Sequence, residues 1–439
     1  MNFKTLLLTL CLALGNRACL SADEFREIQF AGVLSQPSRT GEQQILRRFE
    51  VLLFGDGGNR DFFVVMDHER DGCSWPECFG TVHSAAGPSP HLLYTFDGNV
   101  YSLPLPPLSL SLPDDLNSET EWAKDGWTYT VLEKSSGAGR ELSWKISASE
   151  RRGRKQQLTV SDSGLLMSAV QDVFMGQGDR FELALTQTAR RAVNDPATVG
   201  QLFAKLTELQ RALNRRADTQ QTGLSSRQVS DALTFLPELN RLAMGTPLQE
   251  FVLRIEKDLK LQQRRVDTSE KRQGQLMNKP SPEFSLNLIS GGSLQSGELK
   301  GKTVVLHFWS YSDRPLTEPY GQVGYLEFLY SREKEKNVSV IGVSTNSSLL
   351  AAEQSSAGRR AARKLVEFMN LNYPIGYDDG SLLRELGDPR DMGAELPLWV
   401  VISPAGKIVH YHSGYYEIDR QHGLKQLLDV LSAHGEPGN

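Results

Sequence analysis

Cysteine is scarce in this chain. There are four in 439 residues; Cys11 and Cys19 fall in the first 22, and none follows Cys78. That excludes a disulfide-dense scaffold, and it limits any thiol chemistry after removal of a leader to Cys73 and Cys78. An excess of one charge is also missing. Lys and Arg number 48 against 53 Asp and Glu, a net charge of -5, which gives no support for nucleic-acid binding. Past the N-terminus no apolar run approaches the ~20 residues that span a bilayer, so no integral membrane segment is expected once the leader is removed. What remains is an ordinary globular composition, 39% hydrophobic and 23% charged, at a length that suggests two or three domains.

Residues 1–22 read as an export signal. Lys4 supplies the positive start, residues 6–14 a short apolar stretch, and Leu20-Ser21-Ala22 a small-residue exit. The compartment expected is the periplasm, the cell envelope or the outside of the cell. Residues 23–190 read as β-rich. Runs with strand character lie at 28–33, 49–53, 62–66, 92–96, 127–132 and 142–146, and Asp97-Gly98-Asn99 signals a hairpin. Residues 103–113, rich in proline and leucine, suit an edge or loop. The pattern leaves a sandwich, a partial barrel and a curved antiparallel sheet open.

Inside this region stands His68-x4-Cys73-x4-Cys78-x4-His83. Three chemistries fit it. A structural disulfide between Cys73 and Cys78 is the expectation for an exported chain. A zinc site of two Cys and two His has acceptable ligands, but no metal and no cofactor is expected. A redox-active pair is the third, although four intervening residues is not the spacing that tunes such pairs.

Residues 195–272 change to helical periodicity. Asp195-Pro196 and Ser225-x-x-Gln228 are helix starts, as is Thr246-Pro247, and leucine stripes run at 202, 206, 209, 213 and at 248, 252, 255, 259. The expectation is two long helices with a shorter one between, packing on their neighbours as a spacer. The charged stretch 257–271 reads as a flexible linker.

In residues 276–434, apolar runs at 304–309, 338–343 and 398–402 alternate with helical stretches at 320–334, 359–370 and 420–431, a βαβ organisation with a mostly parallel sheet. The ordered motifs are Asn278-Lys-Pro280-x-Pro282-x-Phe284, Gly301-Lys-Thr-Val304-Val305-Leu306-His-Phe308-Trp309, Val338-Ser-Val340-Ile341-Gly342-Val343-Ser344, Leu396-Pro397-Leu398-Trp399 and Gly406-Lys407-Ile408-Val409. This order resembles the redoxin family of the thioredoxin superfamily, in its TlpA-like and AhpC/TSA groups, over about a third of the chain.

The resemblance implies a Trp-Cys-x-Pro-Cys turn after Phe308-Trp309. Ser312 takes the tryptophan position, Asp313 that of the attacking cysteine, Arg314 and Pro315 the residues between, and Leu316 that of the resolving cysteine. Pro397 matches the family's cis-proline facing that turn. Both sulfurs are missing. Thiol–disulfide exchange needs a thiolate and a sulfur leaving group, so an aspartate at this place suits a helix cap. A new polar site of Ser310, Tyr311, Ser312, Asp313 and Arg314 with His410 or His412 is the sharper alternative, and His307 reads as a hydrogen-bonded core histidine. The expectation is an exported multidomain protein with a degenerate redoxin turn. It would act as a non-catalytic module that binds a protein or peptide in a cleft formed by Tyr311, Ser312, Arg314, Pro315 and Pro397. The family implies the alternative, a thiol–disulfide oxidoreductase or peroxidase-related protein, which would have to use Cys73 and Cys78. A structural envelope protein is a third reading.

Overall fold

The computed structural model describes residues 25–37, 43–55, 61–69, 73, 75, 78–82, 90–96, 99–136, 142–151, 153–176, 178–214, 223–311, 322–333, 336–350, 355–394, 396–416 and 424–434.

Twelve strands build the N-terminal part: β1 (Arg26–Pro37), β2 (Gln43–Gly55), β3 (Phe62–Asp67), β4 (Phe79–Thr81), β5 (His91–Phe96), β6 (Asn99–Pro104), β7 (Glu121–Lys124), β8 (Trp127–Ser136), β9 (Leu142–Glu150), β10 (Lys155–Ser161), β11 (Leu166–Met175) and β12 (Asp179–Ala192). Ten of them form one antiparallel sheet in the order β4-β3-β2-β1-β12-β11-β10-β9-β8-β7. The chain runs outward from β1 to one edge, crosses to the other edge, and meanders back until β12 pairs with β1. The expected hairpin forms separately, with Phe96 opposite Asn99 in the β5–β6 pair. One sheet face is a continuous apolar core containing Phe30, Phe49, Val51, Leu53, Val131 and Leu183. The proline- and leucine-rich stretch lies on it and buries Leu105, Leu108 and Leu110. Gly164 lets that stretch come close: at φ +80° its backbone leaves no room for a Cβ, which would meet the Leu110 carbonyl, and Leu110 N–H donates to the Gly164 carbonyl at 2.8 Å.

The run Val51-Leu52-Leu53-Phe54 is apolar throughout because both sides of β2 are covered. Val51 and Leu53 face the first core, whereas Leu52 and Phe54 face three helices, α1 (Pro196–Leu213), α2 (Ser226–Ala243) and α3 (Gln249–Leu276). Asp195 caps α1 through Thr198 N–H, and Ser225 with Gln228 forms the full capping box of α2. Three details differ from expectation. α1 and α2 are equally long at 18 residues. Thr246-Pro247 forms a turn ahead of α3, which starts at Gln249. Residues 257–271 are not a linker, since α3 continues for 28 residues through them. Its charges pair along the helix, as in Lys260–Glu256 at 2.5 Å and Arg254–Glu250 at 3.4 Å, which supports helix where the apolar stripe ends.

The C-terminal part contains β13 (Ser285–Leu288), β14 (Ser293–Gln295), β15 (Thr303–Trp309), α4 (Val323–Glu333), β16 (Val338–Ser344), α5 (Ser347–Leu350), α6 (Ser355–Met369), β17 (Ile375–Tyr377), α7 (Ser381–Leu386), β18 (Leu398–Ile402), β19 (Ile408–Ser413) and α8 (Leu424–His434). Its sheet order is β14-β13-β17-β16-β15-β18-β19. Only β15–β16 and β16–β17 are parallel, so the sheet is mixed rather than mostly parallel. The turn at Pro404–Gly406 sends β19 back along β18, and β13–β14 is likewise a hairpin. α4, α6 and α8 cover one face and α7 the other. Every residue of β15 and β18 is accordingly buried.

Candidate functional site

The central strand β15 ends at Trp309, whose carbonyl accepts from both Tyr311 and Thr345 N–H at 3.0 Å. This turns the Tyr311 side chain back under the strand end. Its hydroxyl lies 2.7 Å from His307 Nδ1 and 3.3 Å from the Tyr373 hydroxyl. His307 and Tyr311 have no exposed surface. Burial holds the Tyr311 and Tyr373 phenols well above their usual pKa, so both remain protonated donors. The cluster rests on Gly342 of the neighbouring strand, where a Cβ would come within 2.5 Å of the Tyr311 hydroxyl and 3.0 Å of the Tyr373 ring.

The polar row continues across the sheet. His307 packs on Trp399 at a centroid distance of 4.4 Å, and Trp399 packs on Tyr416 at 5.1 Å. His412 stacks on Tyr416 at 4.1 Å, and His410 Nε2 lies 2.5 Å from the Tyr416 hydroxyl. Gln322, where the described chain resumes ahead of α4, clamps Tyr416 with two bonds: its amide donates to the Tyr416 carbonyl at 2.9 Å and accepts from the Tyr416 N–H at 3.1 Å. Burial pushes His410 and His412 down to about 4, so both are neutral near pH 7. A floor of imidazole, indole and phenol thus lies beneath the end of β15.

Leu396-Pro397 is a cis peptide, and the Pro397 carbonyl accepts from Gly414 N–H at 2.7 Å. Pro397 is buried. Tyr311, expected on a cleft wall, instead belongs to the buried floor. Ser312, Asp313, Arg314, Pro315 and Leu316 lie outside the described residues. His307 is the hydrogen-bonded core histidine expected. His410 and His412 belong to the floor as neutral partners of Tyr416. The i, i+4 spacing of His307 and Tyr311 is visible in the sequence. Tyr373, Gln322 and Tyr416 join through long-range packing and carry no local signal.

The cysteines lie elsewhere. Cys73 and Cys78 are buried in the core between β3 and the helices. In place of the expected disulfide the structure holds two thiols. The hydrogen bond to Cys78 and burial push the Cys73 thiol up. Trp75, fully buried between them in sequence, donates its indole N–H to Asp258 Oδ2 at 2.5 Å. Further along α3, Ser269 Oγ meets Ser413 Oγ at 2.8 Å, and Ser413 pairs with Leu398 beside Pro397. Eleven residues of helix, about 16 Å of axis, separate the helix positions that touch the cysteine loop and the redoxin sheet. For the zinc alternative, His83 lies outside the described residues, and His68 is engaged by Glu50 at 3.5 Å and Arg254 at 2.9 Å. Among the described residues no group of three or more His, Cys, Asp or Glu could hold a metal ion.

The C-terminal sheet, its helices and the cis-proline beside the end of the central strand define a thioredoxin-like domain. Residues 277–411 match the AhpC/TSA family model, and the C-terminal third is a redoxin domain of the thioredoxin superfamily. The chain is similar to the thiol-disulfide oxidoreductase ResA of Oceanobacillus iheyensis, 26% identical over 33% of this chain and 68% of that protein. It is also similar to ResA of Halalkalibacterium halodurans, 29% identical over 30% of this chain and 65% of that protein. The chain therefore spans about two thirds of the length of these relatives. Among solved structures, the thioredoxin domain of a Bacteroides vulgatus thiol-disulfide oxidoreductase is 18% identical, covering 36% of this chain and 98% of its own, with a TM-score of 0.27. A thiol:disulfide interchange protein from Chlorobium tepidum is 14% identical, covering 36% and 96%, also with a TM-score of 0.27.

Proposed function

We propose that this chain is an exported protein whose redoxin domain binds a protein or peptide partner beside Leu396-Pro397 and does not itself exchange disulfides. The organisation belonging to this reading is a leader over 1–22, a β-rich domain over 23–190, a helical segment over 195–272 seated on it, and the redoxin domain over 276–434. The leader lies outside the described residues, and no described helix is long and apolar enough to cross a membrane. One observation carries the reading: no cysteine follows Cys78, and Cys73 and Cys78 are buried against the far end of α3.

The names of the relatives favour a second reading, a thiol–disulfide oxidoreductase that uses Cys73 and Cys78. Reduction of insulin disulfides by the purified mature chain decides between them. The binding reading expects no turnover above the uncatalysed rate, either in the natural chain or in Cys73→Ser/Cys78→Ser. Turnover that disappears in the double variant would establish the second. Binding itself is read from the anisotropy of a labelled, carboxymethylated insulin B chain, which offers an extended peptide without a disulfide. Ala394→Arg, at a half-buried position three residues before Pro397, should weaken it about tenfold, or ~1.4 kcal/mol. No binding by the natural chain would count against the peptide-binding part of the reading.

A further inference from the structure

We propose that Cys73 and Cys78 form a reversible dithiol–disulfide couple, entered at Cys73 from a small pocket beside Arg254, and that α3 registers its state. Four observations lead there. Cys73 and Cys78 are the only cysteines beyond the leader, five positions apart, and both lie in one buried core. Both sulfurs are thiols within a largely apolar core, with Arg254 beside Cys73 in the pocket. Cys73 lines a pocket with Asp67, His91, Phe251 and Arg254, whereas Cys78 is 1% exposed and is not among the pocket's lining residues. Finally, the residue between them is tied to α3. Trp75 donates to Asp258, Gln262 donates to the same Asp258 oxygen at 2.7 Å, and Gln262 in turn accepts from Leu224 N–H at 2.6 Å.

The chemistry balances with a small disulfide, RSSR, as oxidant. The Cys73 thiolate attacks one sulfur of RSSR, forms a mixed disulfide and releases RS⁻. The Cys78 thiolate then attacks the Cys73 sulfur, closes the Cys73–Cys78 bond and releases the second RS⁻. The two RS⁻ take up the two cysteine protons. Two thiols are oxidised and one external disulfide is reduced to two thiols; a dithiol reverses the sequence. Burial keeps the attacking thiolate scarce, so the exchange is slow and suits a state switch rather than turnover. Drawing the two sulfurs into a covalent bond moves the segment that carries Trp75, and the Trp75–Asp258 bond transmits that movement to α3. The same helix touches β19 at Ser413.

The test uses the full mature chain equilibrated at fixed ratios of oxidised and reduced glutathione. Free thiols are trapped with a maleimide after acid quench and denaturation. The expected result is a single reversible transition in which both thiols vanish and return together, with amide exchange in α3 around Asp258 and Gln262 changing over the same range. A pair that stays reduced in excess oxidised glutathione, or stays oxidised in excess dithiothreitol, overturns the proposal. So does a transition that leaves α3 exchange unchanged. Direction is tested by single variants: Cys78→Ser should accumulate a glutathione adduct on Cys73, and Cys73→Ser should form none on Cys78. The reverse result overturns the assignment of Cys73 as the point of attack. Arg254→Gln should slow oxidation about 2–3-fold, since thiolate lost to a higher pKa is partly offset by greater nucleophilicity; Arg254→Lys should restore the rate. The glutathione transition is independent of the insulin assay, so either reading can fail alone.

Discussion

The two sheets bury their polar groups in opposite ways. Beneath the end of β15 the polar groups are imidazoles and phenols: His307, Tyr311 and Tyr373 are linked by hydrogen bonds, His410 bonds Tyr416, and His412 stacks on Tyr416. Between the ten-stranded sheet and α3 the buried groups include a carboxylate, Asp258, held by Trp75 and Gln262. Arg254 lies nearby, donating to the Asp67 carbonyl at 2.9 Å and meeting His68. A neutral network needs shape and the right protonation states. A buried carboxylate needs its full set of donors, because an incompletely paired charge is costly. The part of the molecule with the recognisable fold holds a hydrogen-bonded scaffold without cysteine. Cys73, Cys78 and Asp258 stand in the β-rich part and its helices, which lie outside the matched family region. The family match and the cysteines therefore occupy different parts of one chain.

The strongest way to break this contrast is at Gly342. Any β-carbon there must displace a fully buried tyrosine hydroxyl whose partners are fixed, and no flexible side-chain end can give way. Gly342→Val should lower stability by about 3 kcal/mol, in the range of overpacked cores. Chemical denaturation would read it; a loss below 1 kcal/mol would mean that the Tyr311–Tyr373 cluster is not a structural keystone. The corresponding change on the other side is Trp75→Phe. It preserves most of the apolar volume but strips one donor from Asp258, at a cost of about 2 kcal/mol. Combining it with Asp258→Leu should recover part of that loss, because no buried charge is then left short of a partner. Simple additivity would indicate that the Trp75–Asp258 bond contributes little.

Acid separates the two parts more gently. His410 and His412 stand at about 4 in the folded chain against an ordinary 6.5. Between those values the unfolded chain binds protons that the folded chain does not. Their contribution is therefore complete above pH 6.5 and is lost as the pH falls toward 4. Both side chains retain some solvent access, which reduces the expected loss to roughly 2 kcal/mol for the pair. His412→Phe keeps the ring on Tyr416 and removes one titrating group, so its stability should fall less steeply between pH 6.5 and 4. An unchanged slope would show that the pair is not what titrates.

How much of this was legible in the sequence differs between the two parts for physical reasons. β15, β16 and β18 are buried on both faces and read as unbroken apolar runs, as in Val304-Val305-Leu306. β10, β11 and β12 are covered mainly on one face, so apolar and polar residues alternate, and Lys155-Gln-Gln-Leu-Thr-Val carries a weak signal. That is why residues 23–190 could be read as β-rich without a shape: the pairing of β1 with β12 spans most of the region and leaves no local mark. α3 misled for the opposite reason. Beyond Lys257 its composition is that of a solvated linker, yet buried Asp258 and Gln262 anchor it. At the candidate site, His307 was legible as a buried polar residue in an apolar strand; the turn after Tyr311 lies outside the described residues. The role of Gly342 was not legible, because glycine on a strand says that something approaches and not what.

The smallest expected effect probes whether the two parts are held as one. Arg272, near the end of α3, donates through Nη2 to the Glu385 carbonyl at 2.7 Å and through Nε to the Leu386 carbonyl at 3.3 Å. These are the last carbonyls of α7, which lack partners within the helix. The close approach needs Gly387, at φ +88°, where a Cβ would lie 2.6 Å from the Arg272 Nε. The Gly387 carbonyl in turn accepts from the Tyr411 hydroxyl at 3.2 Å. Arg272→Ala exposes the two carbonyls to water, which replaces most of the lost bonding, so the expected cost is only about 1 kcal/mol. Its value lies in where that cost appears. If α3 merely rests on the redoxin domain, amide exchange should quicken in α7 and β19 and stay unchanged in β1 and β12. If exchange also quickens in the ten-stranded sheet, the two regions unfold as one cooperative unit, and the contrast between them is one of chemistry rather than of independent structure.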